Sequence, residues 1–407
     1  MKTIFRLSGW AVLATALGAF GASSAFGQDQ SCADTDGQLD LYTKITTNYR
    51  SKNPPEMKIA LTAGKEFLEK YGSCEPLKPQ LDFIRPQVAR LEKDIPVREK
   101  EIEMGPLYKR YDAALAADNP DEILAAGKAI LAKEPGDLNI MVPIAFVTGD
   151  KSTSANSYKY ADDAIQFAGN VLTKLKAGAE LNRTNAKGEP AVGVLKYTFT
   201  REVAIPELTY IIAYLKYYGK KDKQGAIPLY YELTKAPGRF KTDPRVFATI
   251  GSYYIDESEP IATEIQKLIA DLRGATTDED KERIAETIKP KVALYNGYVE
   301  RAIDAYGRAH SVAKSDTASA KSAKDGLYTT LQQLYERRFP EKKEGLDTFV
   351  AAAISKPMPD PTSAVQPVSD PEPATTTTTT TGAVPAAGAA KPAAANGKTA
   401  VTTKPKK

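Results

Sequence analysis

The chain reads as all-α: an irregular α-solenoid of helical hairpins, with a leader in front and a disordered C-terminal tail behind. Three observations carry that reading. From Pro206 to Asp256, two helical runs with apolar stripes are joined by a short Gly/Lys/Asp turn, and a third run comes at once. Each such hairpin needs a neighbour to bury its other face. The spacing Ala-x3-aromatic recurs, at Ala226/Tyr230 and again at Ala302/Tyr306. From Pro357 onward the composition changes to Pro, Ala and a Thr run, with almost no large apolar residue.

The leader comes first. Lys2 and Arg6 precede an apolar run from Trp10 to Phe20, and small residues continue through Ser23, Ser24, Ala25 and Gly27. That order describes a secretory signal peptide over residues 1–27, cleaved near Gly27–Gln28 or, as a second choice, after Ala25. The apolar run falls short of the roughly 20 residues that span a bilayer. Cys32 lacks the Leu-x-small context of a lipid-attachment site. The mature chain is therefore expected to be exported, without a transmembrane segment, to the periplasm, the cell envelope or the medium.

The formal charge of +4 is not spread evenly. The leader and the tail each contribute an excess of two positive charges, which leaves the body near zero. A neutral body without a basic face argues against nucleic acid, whose phosphates need clustered Lys and Arg. The two cysteines, Cys32 and Cys74, both lie in the exported N-terminal part and read as a disulfide. A redox or metal pair is the alternative, without CxxC spacing or a nearby His to support it.

The helical region over residues 28–100 opens with a stripe of Leu39, Tyr42, Ile45, Thr46 and Tyr49. Asn53-Pro54-Pro55 ends that helix and starts the next. Met57, Leu61, Gly64, Phe67 and Leu68 form a second stripe. A third helix is expected from Lys78 to Ile95, kinked or begun at Pro86. The array proper is expected over residues 101–356. Its first hairpin pairs Leu107, Tyr111, Ala114 and Leu115 with Ile123, Ala126, Ala129, Ile130 and Leu131 across Asp118-Asn119-Pro120-Asp121, a turn with a ready helix cap.

The stretch GKAILAKEPGD, ending at Asp137, resembles the end of a tetratricopeptide repeat. A small residue, an apolar pair and a Pro-Asp-type turn stand in that family's order. Ala161, Ile165 and Ala168 have the spacing of the family's second helix, and Ala226/Tyr230/Leu233 and Ala302/Tyr306/Ala309 repeat it. The intervals from Ala126 to Ala161 and from Ala161 to Ala226 lie close to one and two periods of about 34. The step to Ala302 is not a multiple, so the array is interrupted, and the family's Trp-x2-Leu-Gly-x2-Tyr opening is absent. The resemblance spans Leu107 to Ala313. It implies a right-handed stack of hairpins with a face that binds an extended peptide.

Two segments depart from the pattern. Ala177 to Gly193 is a polar, Gly-bearing insertion expected to be a surface loop. Ser258 to Val312 holds the longest helical patterns. One stripe (Ile261, Ile265, Leu268, Ile269, Leu272) ends at Gly274, and Thr277-x-x-Asp280 is a capping box for the next helix. Pro290 is expected to kink or break that helix. Helices from Leu327 to Phe339 and from Glu344 to Ile354 close the array. Residues 357–407 cannot bury enough surface to offset their ordering entropy and are expected to be disordered. Lys404, Lys406 and Lys407 give this tail a potential contact with an anionic envelope polymer.

Chemistry is sparse. The single histidine, His310, cannot build a multi-His metal site and has no nucleophile partner. There is no phosphate-binding Gly-rich loop. No catalytic, cofactor or metal residue is expected. Tyr210, Tyr214 and Tyr217, at i, i+4 and i+7, form one candidate binding face, because Tyr offers a rigid body with a polar tip; filling of helix seams is the plainer reading. The functional expectation is an exported, non-enzymatic scaffold or adaptor that binds a protein or peptide segment through a helical-repeat groove. An envelope-polymer or glycan module and a helical enzyme without a recognisable motif are the alternatives.

Overall fold

The computed structural model describes residues 32–154, 157–340, 342 and 344–370. The leader and residues 371–407, with Lys404, Lys406 and Lys407, lie outside them. Among the described residues the protein is all-α, with twelve helices and one two-residue β-hairpin. It divides into two compact units, with the boundary between Tyr108 and Lys109.

The first unit contains α1 (Thr35–Asn48), α2 (Pro54–Tyr71) and the first part of α3 (Lys78–Ala116). Asp34 caps α1 by accepting from the N–H of Gly37 (3.0 Å). Pro54 opens α2, where its missing N–H costs nothing. The buried stripe of α1 is Leu41 and Ile45, whereas Leu39, which the periodicity places in the stripe, is 66% exposed. These residues pack on Ala63, Phe67, Tyr71, Leu81 and Ile84. Cys32 and Cys74 form a disulfide with Cα atoms 5.6 Å apart. Beside it, the Tyr71 hydroxyl donates to Asp34 Oδ2 (2.6 Å). The disulfide and this hydrogen bond tie the start of α1 to the end of α2.

A break near Ile95 is not observed: α3 is continuous over 39 residues, through Pro86, Pro96 and Pro106. The reason is solvent. Each proline removes one intrahelical hydrogen bond and orphans the carbonyl four residues earlier. All three prolines, and Asp82, Glu92 and Ile102 four residues before them, are exposed, so water can satisfy those carbonyls.

The second unit begins with the end of α3 and continues with α4 (Pro120–Lys133), α5 (Leu138–Ser154) and α6 (Ala161–Lys176). Asn119 caps α4 as its sequence predicts, accepting from Glu122 N (3.3 Å). Buried Tyr111 donates to the carbonyl of Ile140 (3.0 Å), fastening α3 to α5. The polar insertion forms an antiparallel hairpin, β1 (Arg183–Thr184) and β2 (Pro190–Ala191). Asn139 clamps it, donating to Asn182 Oδ1 (3.0 Å) and accepting from Gly193 N (3.0 Å).

α7 (Arg201–Tyr214) runs on into a π-helical turn, Leu215–Gly219, and then comes α8 (Lys223–Lys235). α9 (Pro244–Gly274) and α10 (Asp278–Val312) form the most extensive helix pair. Thr277 caps α10, accepting from Asp280 N (3.2 Å) and donating to Asp280 Oδ2 (2.8 Å). Pro290 does not break α10, which continues through it to Val312; it too is exposed. α11 (Ala318–Arg338) and α12 (Leu346–Ile354) complete the helices. Ala126, Ala161, Ala226 and Ala302 are all buried, as are Tyr230 and Tyr306, the aromatic partners of the last two.

Composition assigns everything from Pro357 onward to a disordered tail, but residues 357–370 depart from it. They form a non-helical strap that packs back on α8, α10 and α11. Apolar content alone misses it because most of its anchors are main-chain atoms.

Candidate functional site

The predicted tyrosine face lies mostly inside. Tyr210 and Tyr217 are 8% and 4% exposed, and Tyr214 is half-buried. Tyr210 stacks on Phe240 with ring centroids 4.9 Å apart and stands edge-on to Tyr230 at 6.4 Å. Tyr217 meets the same Tyr230 edge-on at 6.1 Å, and its hydroxyl donates to Asp256 Oδ2 (3.1 Å). Burial pushes the Tyr210 phenol up to about 12. Burial, with Asp256 adding to it, also raises Tyr217 far above its ordinary value. The π-helical turn widens the helix where Tyr217 and Tyr218 lie, so α-helical periodicity no longer describes their placement. Both side chains are anchored inward, Tyr218 by a 3.1 Å hydrogen bond between its hydroxyl and that of Thr249.

His310, in the last turn of α10, is partly buried against Tyr328, with ring centroids 5.4 Å apart. Burial, aided by Lys324, lowers its pKa. Among the described residues no group of three His, Cys, Asp or Glu is placed to hold a metal ion, and no helix is long and apolar enough to cross a membrane.

The face that binds a polypeptide in this structure is the one under the strap. On α8, Tyr230 points into the core, while its neighbour Tyr231 donates its hydroxyl to the carbonyl of Met358 (3.2 Å). Lys235 lies over the Tyr231 ring at 3.6 Å. On α10, Asn296 Nδ2 donates to the carbonyl of Val368 (3.2 Å), and the carbonyl of Ala293 accepts from the N–H of Val368 (2.7 Å). Gly297 completes that stripe. A β-carbon there would overlap the carbonyl oxygen of Gln366. Glycine inside a long helix costs about 1 kcal/mol relative to alanine, and close backbone approach is what this one permits.

Both ends of the strap are fastened. Arg308, forked onto Asp304 (3.0 Å), donates to the carbonyl of Lys356 (2.6 Å). Arg338 is 3% exposed at its side chain and bridges Glu300 and Asp370, both at 2.8 Å. Between these ends, Met358 and Val365 pack against the core to which α7 through α11 contribute, and Pro361 is buried. Asp360 folds its own turn, accepting from the N–H and hydroxyl of Thr362 (2.8 and 2.7 Å). Those bonds hold its carboxyl below the usual carboxylate range, and the charges of Lys235 and Arg301 lower it further. Arg301 Nη1 and the hydroxyl of Tyr254 are buried close to one another, yet neither completes a well-formed hydrogen bond.

The tyrosines singled out from the sequence belong to α7 and its π-turn, and Tyr210 and Tyr217 are buried there. The signal that points to this face is the run Ala293-x-x-Asn296-Gly297, a small-residue stripe with one hydrogen-bonding side chain in the middle of a long helix. No family model, curated protein or solved structure matches the chain.

Proposed function

We propose that the protein is an exported, non-enzymatic scaffold or adaptor, acting in the periplasm or cell envelope, that binds a protein or peptide segment on the α8–α10–α11 face. Its array is read as a right-handed stack of tetratricopeptide-like hairpins. The equivalent burial of Ala126, Ala161, Ala226 and Ala302 supports that stack. The observation that carries the function is how the strap is held. Side chains of Tyr231, Asn296 and Arg308 and the backbone of Ala293 engage main-chain atoms of Met358, Val368 and Lys356. A surface that reads peptide backbone is suited to polypeptide rather than to sugar. The glycan alternative needs exposed aromatic rings, and Tyr210 and Tyr217 are buried.

Peptide arrays covering exported proteins, probed with the full chain, test this reading. Binding should concentrate on short non-helical segments and fall when Tyr231→Phe and Asn296→Ala are combined. A folded protein that ignores every peptide yet binds isolated cell wall would refute it.

A further inference from the structure

We infer that the strap, residues 357–370, is an internal stand-in for the partner, and that the partner it gives way to is a non-helical, proline-containing segment carrying a carboxylate at the position of Asp360. This inference rests on the peptide-binding reading above. It adds the chemistry of the partner and the way the site is kept closed.

Three features of the face point to it. The strap is the one polypeptide seen on this surface, and its sequence, Pro-Met-Pro-Asp-Pro-Thr-Ser-Ala-Val-Gln-Pro-Val-Ser-Asp, places two prolines directly around Asp360. Proline donates no hydrogen bond and fixes its own backbone angle. Such a segment resists folding into a helix and loses less entropy when it binds. Next, the surface around Asp360 is cationic. Lys235 and Arg301 both act on its carboxyl. Last, the strap does not satisfy that surface. Asp360 spends its oxygen on Thr362, while Arg301 Nη1 and the Tyr254 hydroxyl stay buried without a well-formed hydrogen bond. A buried donor without a well-formed partner is destabilising. A ligand whose carboxylate reaches these groups therefore gains what the strap forgoes.

This mismatch makes the closure reversible. The strap continues directly from α12, so its effective concentration at the face is of millimolar order or higher. An external segment with the same contacts cannot compete at micromolar concentration. One that also pairs Arg301 can.

The test uses the full chain and a fluorescent peptide of sequence 356–370, with its Asp360→Glu and Asp360→Asn versions, read by anisotropy. Val365→Asp combined with Val368→Pro loosens the strap by placing a charge against the core and removing the donor to Ala293. The loosened protein should bind the Asp360 peptide at least ten-fold more tightly than wild type. The Glu peptide should bind more tightly than the Asp peptide, and the Asn peptide several-fold more weakly. Arg301→Gln should erase the difference between Glu and Asn. Equal affinity for loosened and wild-type proteins overturns the closure. Binding that ignores the charge at position 360 overturns the partner chemistry while leaving a peptide-binding face intact. If the loosened protein, folded by circular dichroism, binds neither these peptides nor any array peptide, the underlying functional reading fails as well. Should Val365→Asp unfold the protein, Gly297→Ala serves as a second means of expelling the strap.

Discussion

Gly297 lies against the carbonyl of Gln366 so closely that a single added carbon would clash with its oxygen. This contact couples a helix-interior residue to a segment almost 70 positions later in the chain. It also separates two effects that normally travel together. In an exposed helix Gly→Ala stabilises by up to about 1 kcal/mol. Here the same change should leave α10 as stable or more so while expelling the strap. Hydrogen exchange by mass spectrometry should show Gly297→Ala with faster exchange at 364–370 and unchanged protection across α9 and α10.

Arg338 is the anchor at the far end. Its side chain is nearly buried and bridges Glu300 and Asp370. Asp370→Asn should release the strap end and leave the core intact, since Glu300 still pairs with Arg338. Arg338→Ala should cost much more, about 3 kcal/mol, because packing is lost and a partly buried carboxylate is stranded. Urea unfolding of the two variants side by side checks the ordering.

Removing the disulfide should loosen the first unit. The cross-link joins residues 42 positions apart. On the chain-entropy account it stabilises by up to about 4 kcal/mol. Cys32→Ser with Cys74→Ser should raise hydrogen exchange across α1 and α2. Protection of α9 and α10 should not change.

Beside the disulfide, the hydrogen bond to Asp34 leads the causes that push the Tyr71 phenol up to about 12 from its ordinary value of 10. A phenol whose folded value is raised contributes stability that is complete below pH 10 and declines as the pH climbs from 10 to about 12. The same bond lowers the Asp34 carboxyl. That contribution is present above the ordinary carboxylate value and is lost as the pH falls below it. Tyr71→Phe should flatten both limbs in α1 and α2 amide exchange measured across pH.

Tyr111 offers a plain hydrogen-bond test. It is fully buried and donates to the carbonyl of Ile140. Tyr111→Phe keeps the ring and removes this bond, while the Ile140 carbonyl keeps its place in the ladder of α5, at an expected cost of about 1 kcal/mol. Thermal unfolding of the second unit is the measurement.

Helix content could be read from the sequence because a period of 3.6 shows wherever one face is buried, and the repeated alanines mark positions where only a small side chain fits. The disulfide was legible because the chain has two cysteines, both near its start. Other features depend on surroundings that periodicity does not encode. The three prolines of α3 fail to break it because the carbonyls they orphan face water. Tyr210 and Tyr217 occupy a stripe whether or not a neighbouring helix covers that stripe, and Phe240, Tyr230 and Asp256 do cover it. The strap escapes composition because main-chain hydrogen bonds hold it more than apolar area does. Its counterpart at Gly297 has no side chain with which to announce itself.

The order of contacts along the strap also sets how it can come away. Asp370, Val368, Gln366 and Met358 meet their partners one after another, and the remaining 37 residues of the chain continue from the Asp370 end. A pull on that continuation loads the contacts in series, beginning with Arg338, instead of all together. Such a strap peels under a force far smaller than the one needed to shear it, and a tether on the last residues could open the face without any ligand.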